Sequence, residues 1–138
     1  MKATMKKLRH NTGKEPDPRR YIGRLGEAIA EKFLLSKGFF VLVKNFSTPL
    51  GEIDLVAQKD GCVVFFEVKT RLSARFGPPL SAITKEKKRH IVRSCQYYIN
   101  RYGLHGNSCR IDAIGINLDA MGNVRLLRHV KNAVETDY

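Results

Sequence analysis

Residues 51–71 constrain the fold of this chain more than any other stretch. Two segments within it, 53–58 and 63–69, are rich in β-branched and aromatic residues, which favour strands. Asp60-Gly61 stands between them, and this dipeptide is preferred in the two-residue type I′ turn that joins antiparallel strands. The stretch is therefore predicted to be a β-hairpin.

Charged side chains converge on one face of this predicted hairpin. Its turn places Asp54 opposite Glu67, and Glu52 opposite Lys69. Because strand side chains alternate between faces, Asp54, Glu67 and Lys69 share one face. Facing carboxylates must be neutralised, paired or bound to a metal, and an oxygen-ligated Mg²⁺ would satisfy them while bridging to a substrate phosphate. Lys69 would then orient a water molecule or stabilise charge on the phosphate. The alternative is a solvated face whose carboxylates pair with nearby lysines and arginines.

The charge balance indicates a polyanionic partner, with nucleic acid as the first candidate. The formal net charge is +12, from 25 Lys and Arg against 13 Asp and Glu. Basic residues are concentrated in 1–44 and 71–93, so the acidic hairpin is embedded in a basic chain. Such a distribution is expected of a metal-dependent enzyme that acts on nucleic acid. The alternative is that the excess charge only maintains solubility.

The chain contains no sign of a membrane or secreted protein. No apolar run is long enough to span a bilayer, and the N-terminus lacks the apolar segment of a secretion signal. We therefore expect a cytoplasmic protein without membrane association. The three cysteines, at 62, 95 and 109, have no metal-binding spacing and are expected to be reduced core thiols.

Hydrophobic periodicity predicts one α/β domain over 21–138, after a disordered basic arm over 1–20. Helices are predicted over 21–37 and 84–102, the second capped by Thr84. Strands are predicted over 39–45, 110–117 and 124–130 in addition to the hairpin, with a loop over 46–51 and a frayed tail from residue 131. The element order allows a mixed, mostly antiparallel sheet of about five strands flanked by helices.

The second predicted helix begins with a run of cations, which the helix dipole disfavours unless an anion is bound there. We expect this run to contact the nucleic-acid backbone together with arginines of the preceding loop; the alternative is a solvated surface. Tyr98 lies on the apolar stripe and is expected in the core, whereas Tyr97 is left open as a base-stacking residue. Asp112 is assigned a structural role. The predicted nucleic-acid-binding residues are Arg71, Arg75, Lys85, Lys87, Lys88 and Arg89.

Four motifs occur in a specific order along the chain: GRLGE at 23–27, GEID at 51–54, FEVKTR at 66–71 and RIDAI at 110–114. This order resembles the bacterial YraN-like family of predicted endonucleases, over about residues 21–133. The chain is also similar to the wider PD-(D/E)xK nuclease superfamily, including archaeal Holliday-junction resolvases. It departs from the superfamily pattern at Ile53, which stands where many members have proline before the aspartate.

The resemblance implies a restriction-endonuclease-like core and a Mg²⁺- or Mn²⁺-dependent endonuclease that hydrolyses phosphodiester bonds, in DNA more than in RNA. It implies that Asp54 and Glu67 bind the metal, with the Val68 carbonyl and Glu27 completing the ligand set, and that Lys69 orients the attacking water. Analogy with resolvases suggests branched or structured DNA, which a two-fold homodimer would suit.

Two competing functions remain open at this point. One is a non-catalytic nucleic-acid-binding protein that uses the nuclease-like fold as a scaffold. The other is an adaptor whose basic surface meets an acidic protein. Only binding to nucleic acid should weaken steeply with salt in step with the number of phosphate contacts.

Overall fold

The computed structural model describes residues 17–72 and 83–135. The elements in chain order are α1 (Pro18–Ser36), β1 (Phe40–Thr48), β2 (Gly51–Lys59), β3 (Cys62–Arg71), α2 (Lys85–Tyr102), β4 (Ser108–Leu118) and β5 (Val124–Val134). Residues 1–16 of the predicted basic arm lie outside the described residues. So does Arg75, with most of its predicted loop.

The five strands form one sheet in the order β1-β2-β3-β4-β5. Strands β3 and β4 are parallel, and α2 is the crossover between them; the other three neighbouring pairs are antiparallel. This arrangement confirms the predicted α/β class, with a mixed, mostly antiparallel sheet flanked by helices in a restriction-endonuclease-like core.

Each face of the sheet carries one of the two helices that the structure describes. Alternation along β3 sends Val64 and Phe66 into the core that α1 covers, and Val63 and Phe65 into the core that α2 covers. Both faces of this strand are therefore buried, which explains its continuous apolar run. Helix α1 contributes Ala30 and Leu34 to its core, and α2 contributes Ile91, Cys95, Tyr98 and Ile99.

The hairpin turn forms as predicted. Asp60 has a φ of 51° and Gly61 a φ of 75°, and a type I′ turn requires positive φ at both positions. The β2–β3 register runs from Lys59↔Cys62 to Leu55↔Phe66 and ends there. The predicted pairing of Asp54 with Glu67 and of Glu52 with Lys69 is therefore wrong, because backbone pairing between β2 and β3 stops at Leu55↔Phe66.

Three predicted boundaries are also wrong, each because a tertiary or capping contact extends an element. Helix α1 begins at Pro18, since the Asp17 side chain accepts the Arg19 N–H and caps it. Strand β1 continues to Thr48, which pairs with Gly51, so most of the predicted loop is strand. Strand β5 continues to Val134, which is buried, instead of fraying at residue 131.

The predicted cap of α2 is confirmed, because the Thr84 hydroxyl accepts the Lys87 N–H. The three cysteines are free thiols, and the predicted core position is confirmed for Cys95, which is fully buried, whereas Cys62 and Cys109 are half-buried. Within 17–72 and 83–135, neither helix has the length and apolar content needed to cross a membrane.

Candidate metal centre

Asp54 lies where strand β2 loses regular pairing with its neighbours. Beyond the last β2–β3 ladder pair, its Oδ2 accepts the backbone N–H of Val68 at 2.8 Å. On the other side, the β1 residue at the same level is Asn45, whose φ of 52° is left-handed. The Asp54 carboxylate thus takes the place of a strand-to-strand hydrogen bond, and this holds it at the opening of the hairpin.

Three carboxylates meet at this opening. Glu27 comes from α1, and Glu52 and Asp54 come from β2; their carboxylate oxygens lie within 4.8 Å of one another. An all-oxygen, anionic donor set suits a hard cation such as Mg²⁺, Mn²⁺ or Ca²⁺. Glu27 and Asp54 were predicted as metal ligands together with Glu67, whereas Glu52 was not predicted. The position of Glu52 two residues before Asp54 could have indicated it, because residues two apart in a strand lie on the same face.

Two of these carboxyl groups, Asp54 and Glu27, are disfavoured as anions in the metal-free protein. Burial raises the pKa of Asp54 to about 8, with the charge of Glu67 adding to it and the Val68 N–H opposing it. Burial also raises the pKa of Glu27, against a hydrogen bond from Asn45 and with help from the charge of Glu52. Burial and the neighbouring carboxylates thus both disfavour the ionised forms of Asp54 and Glu27, and a bound cation would offset both effects.

Glu67 connects the acidic cluster to a pair of lysines. It is buried, and its Oε1 lies 3.1 Å from Lys87 Nζ and 3.9 Å from Lys69 Nζ. Burial lowers the pKa of Lys69, and the adjacent Lys87 ammonium lowers it further. Glu67 is thus paired mainly with Lys87, while Lys69 stands next to both.

The predicted nucleic-acid-binding cations do not all have the same surroundings in the structure. Lys87 pairs with Glu67 inside the site, whereas Lys85, Lys88 and Arg89 are exposed on the first turns of α2. Arg71 ends β3. A signal for Lys87 was present in the sequence, because it stands four residues before Ile91 and therefore continues the buried stripe of the helix.

Close packing at Gly26 holds Glu27 against the sheet. A Cβ at Gly26 would lie 1.7 Å from Thr70 Oγ1, and Thr70 follows Lys69 in β3. A residue with a side chain therefore does not fit unless α1 moves away from β3. Gly26, the second glycine of the GRLGE motif, thus sets the distance between Glu27 and the two strands of the site.

Paired glycine substitutions in α1 test this contact. We expect Gly26→Ala to lower the free energy of unfolding by about 1–3 kcal/mol through overpacking. Gly23→Ala is the matched control, since no described residue beyond its own helical turn comes within 4 Å of its Cβ position, and it should raise stability by up to about 1 kcal/mol through helix propensity. Urea unfolding measures both, and equal effects of the two substitutions would contradict close packing at Gly26.

The fold and the site together define a protein of the PD-(D/E)xK-like nuclease superfamily. Residues 26–116 match the model of the uncharacterised protein family UPF0102, and the chain belongs to that family, the YraN-like family. The matched range contains all the carboxylates and both lysines of the site.

Relatives match over nearly their whole length. A UPF0102 protein of Moorella thermoacetica is 39% identical over 115 residues, covering 83% of this chain and 96% of the relative. One of Chlorobium chlorochromatii is 40% identical over 116 residues, covering 81% and 89%. Among solved structures, SfsA of Pyrococcus furiosus, in complex with Ca²⁺, is similar at 16% identity and a TM-score of 0.37, over 86% of this chain and 65% of that chain. That likeness is too low to bear on the site.

Proposed function

We propose that this protein is a metal-dependent endonuclease that hydrolyses phosphodiester bonds in DNA. The observation that carries the proposal is the convergence of Glu27, Glu52 and Asp54 within 4.8 Å, next to a buried glutamate with two lysines. Metal-assisted phosphate hydrolysis needs carboxylates that hold a cation and, beside them, an ammonium group that faces water.

The donor set fits Mg²⁺ or Mn²⁺. Glu27, Glu52 and Asp54 would hold the ion, and the Val68 carbonyl is a proposed further ligand beside the N–H that already binds Asp54. When bound, the ion polarises the scissile phosphate and stabilises the charge that develops on it.

Glu67 and the lysines would manage the attacking water. Lys87 neutralises Glu67 and fixes its carboxylate, which leaves Lys69 free to bind water. Because its pKa is lowered, Lys69 loses its proton more readily than an exposed lysine, so it can orient the water and accept a proton from it.

The excess positive charge of the chain would hold the substrate. We propose that Arg71, Lys85, Lys88 and Arg89 contact backbone phosphates outside the metal centre. DNA is proposed over RNA as the substrate, in the cytoplasm, and a two-fold homodimer would present two such centres to a branched molecule.

A second candidate function is supported by the ion pair at Glu67. The Lys87 ammonium lies 3.1 Å from Glu67 and supplies a positive charge that a metal would otherwise provide there. In this alternative the protein binds nucleic acid on a nuclease-like scaffold without cleaving it.

Cleavage assays separate the two functions. With Mg²⁺ or Mn²⁺, we expect the purified protein to cleave at least one substrate among linear, flapped and four-way DNAs, and to leave all of them intact in EDTA. Glu27→Gln should slow cleavage by at least about tenfold. Glu31→Gln is the matched control on the same helix, because Glu31 pairs with exposed Lys44 at 3.0 Å, outside the metal centre.

The outcomes of this assay are distinct. Salt-sensitive DNA binding without cleavage under any of these conditions would refute the nuclease and support the scaffold function. Cleavage that persists in EDTA, or that is equal in the Glu27→Gln and Glu31→Gln proteins, would also refute a metal-dependent enzyme at this site.

A further inference from the structure

Four aromatic rings cluster where strand β1 meets helix α2. Phe46 of β1 lies with its ring centroid 4.9 Å from that of Tyr98, 6.0 Å from Tyr102 and 6.4 Å from Tyr97. Tyr98 is only 6% exposed and anchors the cluster in the core, whereas Tyr97 is 38% and Tyr102 is 53% exposed. Two tyrosines are thus supported from behind by packed rings and remain open to solvent.

The surface around these tyrosines is basic. Arg93 and Arg101 stand four residues before and after Tyr97, so they lie on the same face of α2, and both are exposed. The one acidic residue of α2 is Glu86, in the first turn of the helix. An aromatic surface flanked by exposed guanidinium groups is complementary to a nucleic-acid strand, whose bases stack while its phosphates pair with the cations.

The cluster is connected to the metal centre. Phe46 pairs in the sheet with Ile53, the residue before Asp54, and the Thr48 hydroxyl lies 3.1 Å from that of Ser94 on α2. Tyr97 is ten residues beyond Lys87 in the same helix, which is about 15 Å along the helix axis. At about 3.4 Å per stacked nucleotide, this distance between the levels of Lys87 and Tyr97 corresponds to roughly four or five nucleotides.

We propose that Tyr97 and Tyr102 form a stacking surface for unpaired bases of the DNA strand that is bound at the metal centre. The substrate class is then DNA with a single-stranded segment next to the cleavage site. This inference rests on the proposed nuclease function. Bases of an intact duplex are already stacked on one another, so only unpaired bases present their faces to these rings.

Binding measurements in EDTA test the surface without cleavage. The probes are a fluorescein-labelled single-stranded 20-mer, its duplex, and a 20-mer whose central residues are abasic. We expect Tyr97→Leu, which keeps an apolar contact with Phe46 but has no aromatic face, to weaken binding of the single strand about tenfold, or about 1.4 kcal/mol. Binding of the duplex and of the abasic strand should change less than about twofold. Tyr97→Phe should bind like the wild type.

Two controls separate stacking from charge and from folding. Tyr21→Leu removes an exposed tyrosine of α1 and should leave binding unchanged. Arg101→Gln should reduce the slope of log K against log salt by about 0.7, as expected for one phosphate contact to a single strand, whereas Tyr97→Leu should leave that slope unchanged.

Single-strand binding by Tyr97→Leu and by the Tyr97→Leu/Tyr102→Leu double variant at wild-type strength would overturn the inference. So would an equal loss for the normal and abasic strands. If either result were obtained and the wild type still showed metal-dependent cleavage, the nuclease proposal would remain intact. Failure of the wild type to cleave any DNA with Mg²⁺ or Mn²⁺ would instead refute the nuclease, whatever the tyrosine variants do.

Discussion

The Asp54→Asn variant is expected to cleave DNA with a metal about 100-fold more slowly than the wild type, or slower still. Removal of a metal ligand should cost at least as much activity as removal of a residue that only orients a ligand. Asp54 is half-buried at the hairpin opening and shares the acidic cluster with Glu27 and Glu52. The asparagine oxygen can still accept the Val68 N–H, so the local backbone should be retained. The variant therefore removes the charge that attracts the cation and leaves the shape of the site.

The same substitution should stabilise the metal-free protein at high pH. The pKa of Asp54 rises from 3.8 to about 8 on folding, so the protonated group favours the folded state at low pH. That contribution is fully present below pH 3.8 and is lost as the pH rises toward 8, because ionisation of the buried carboxyl favours the unfolded chain. Asparagine cannot ionise, and the variant should escape this loss.

Thermal unfolding in EDTA and in Mn²⁺ measures both effects. In EDTA at pH 9 the Asp54→Asn protein should unfold several degrees above the wild type, and the difference should shrink toward pH 5. Mn²⁺ should raise the unfolding temperature of the wild type and not that of the variant. Asp60→Asn is the control, because it changes an exposed carboxylate in the turn of the same hairpin. A variant that cleaves DNA like the wild type would exclude Asp54 as a ligand.

The Asp112→Ala variant is expected to be the most destabilised single variant, with a loss of about 3–5 kcal/mol in the free energy of unfolding. Asp112 is fully buried, and its carboxylate lies 3.0 Å from Arg110 Nε and 2.8 Å from His129 Nε2. It also accepts the Asn132 N–H at 3.0 Å. Alanine leaves the Arg110 charge without its buried partner and removes the contact that binds the end of β5 to β4.

Urea unfolding and hydrogen exchange test this expectation. The amides of 129–134 in β5 should lose protection in the Asp112→Ala protein before the rest of the sheet. Asp119→Ala is the matched control, because Asp119 accepts two backbone N–H groups at 2.9 Å within the β4–β5 loop, outside the core. If the two variants were equally stable, Asp112 would not be the attachment point of β5.

Interactions between residues close together in the sequence were enough to predict the helices and strands. The features that were not predicted depend on tertiary contacts. The Asp60-Gly61 turn, the apolar stripes of both helices and the Thr84 cap depend on near neighbours, and all are confirmed. The opening of the hairpin beyond Leu55↔Phe66 has no local signature, so Glu52 was assigned opposite Lys69 instead of to the acidic cluster.

The first turn of α2 illustrates the same limit. Of its cations, only Lys87 continues the stripe that begins at Ile91, but its contact with Glu67 depends on the rotation of the helix on the sheet, which directs Lys87 inward while Lys88 faces solvent. That rotation is set by the burial of Ile91 and Cys95. The extension of β5 to Val134 likewise depends on Asp112, a contact between residues far apart in the chain.

The two outer strands of the sheet share a feature that affects how molecules of this protein meet each other. Strand β1 contains Asn45 and strand β5 contains Asn132, each with a left-handed φ near 50°. An irregular residue interrupts the straight row of exposed N–H and C=O groups that a foreign strand needs for edge-to-edge pairing. An irregular residue on each rim of this open sheet therefore disfavours edge-to-edge pairing between two molecules.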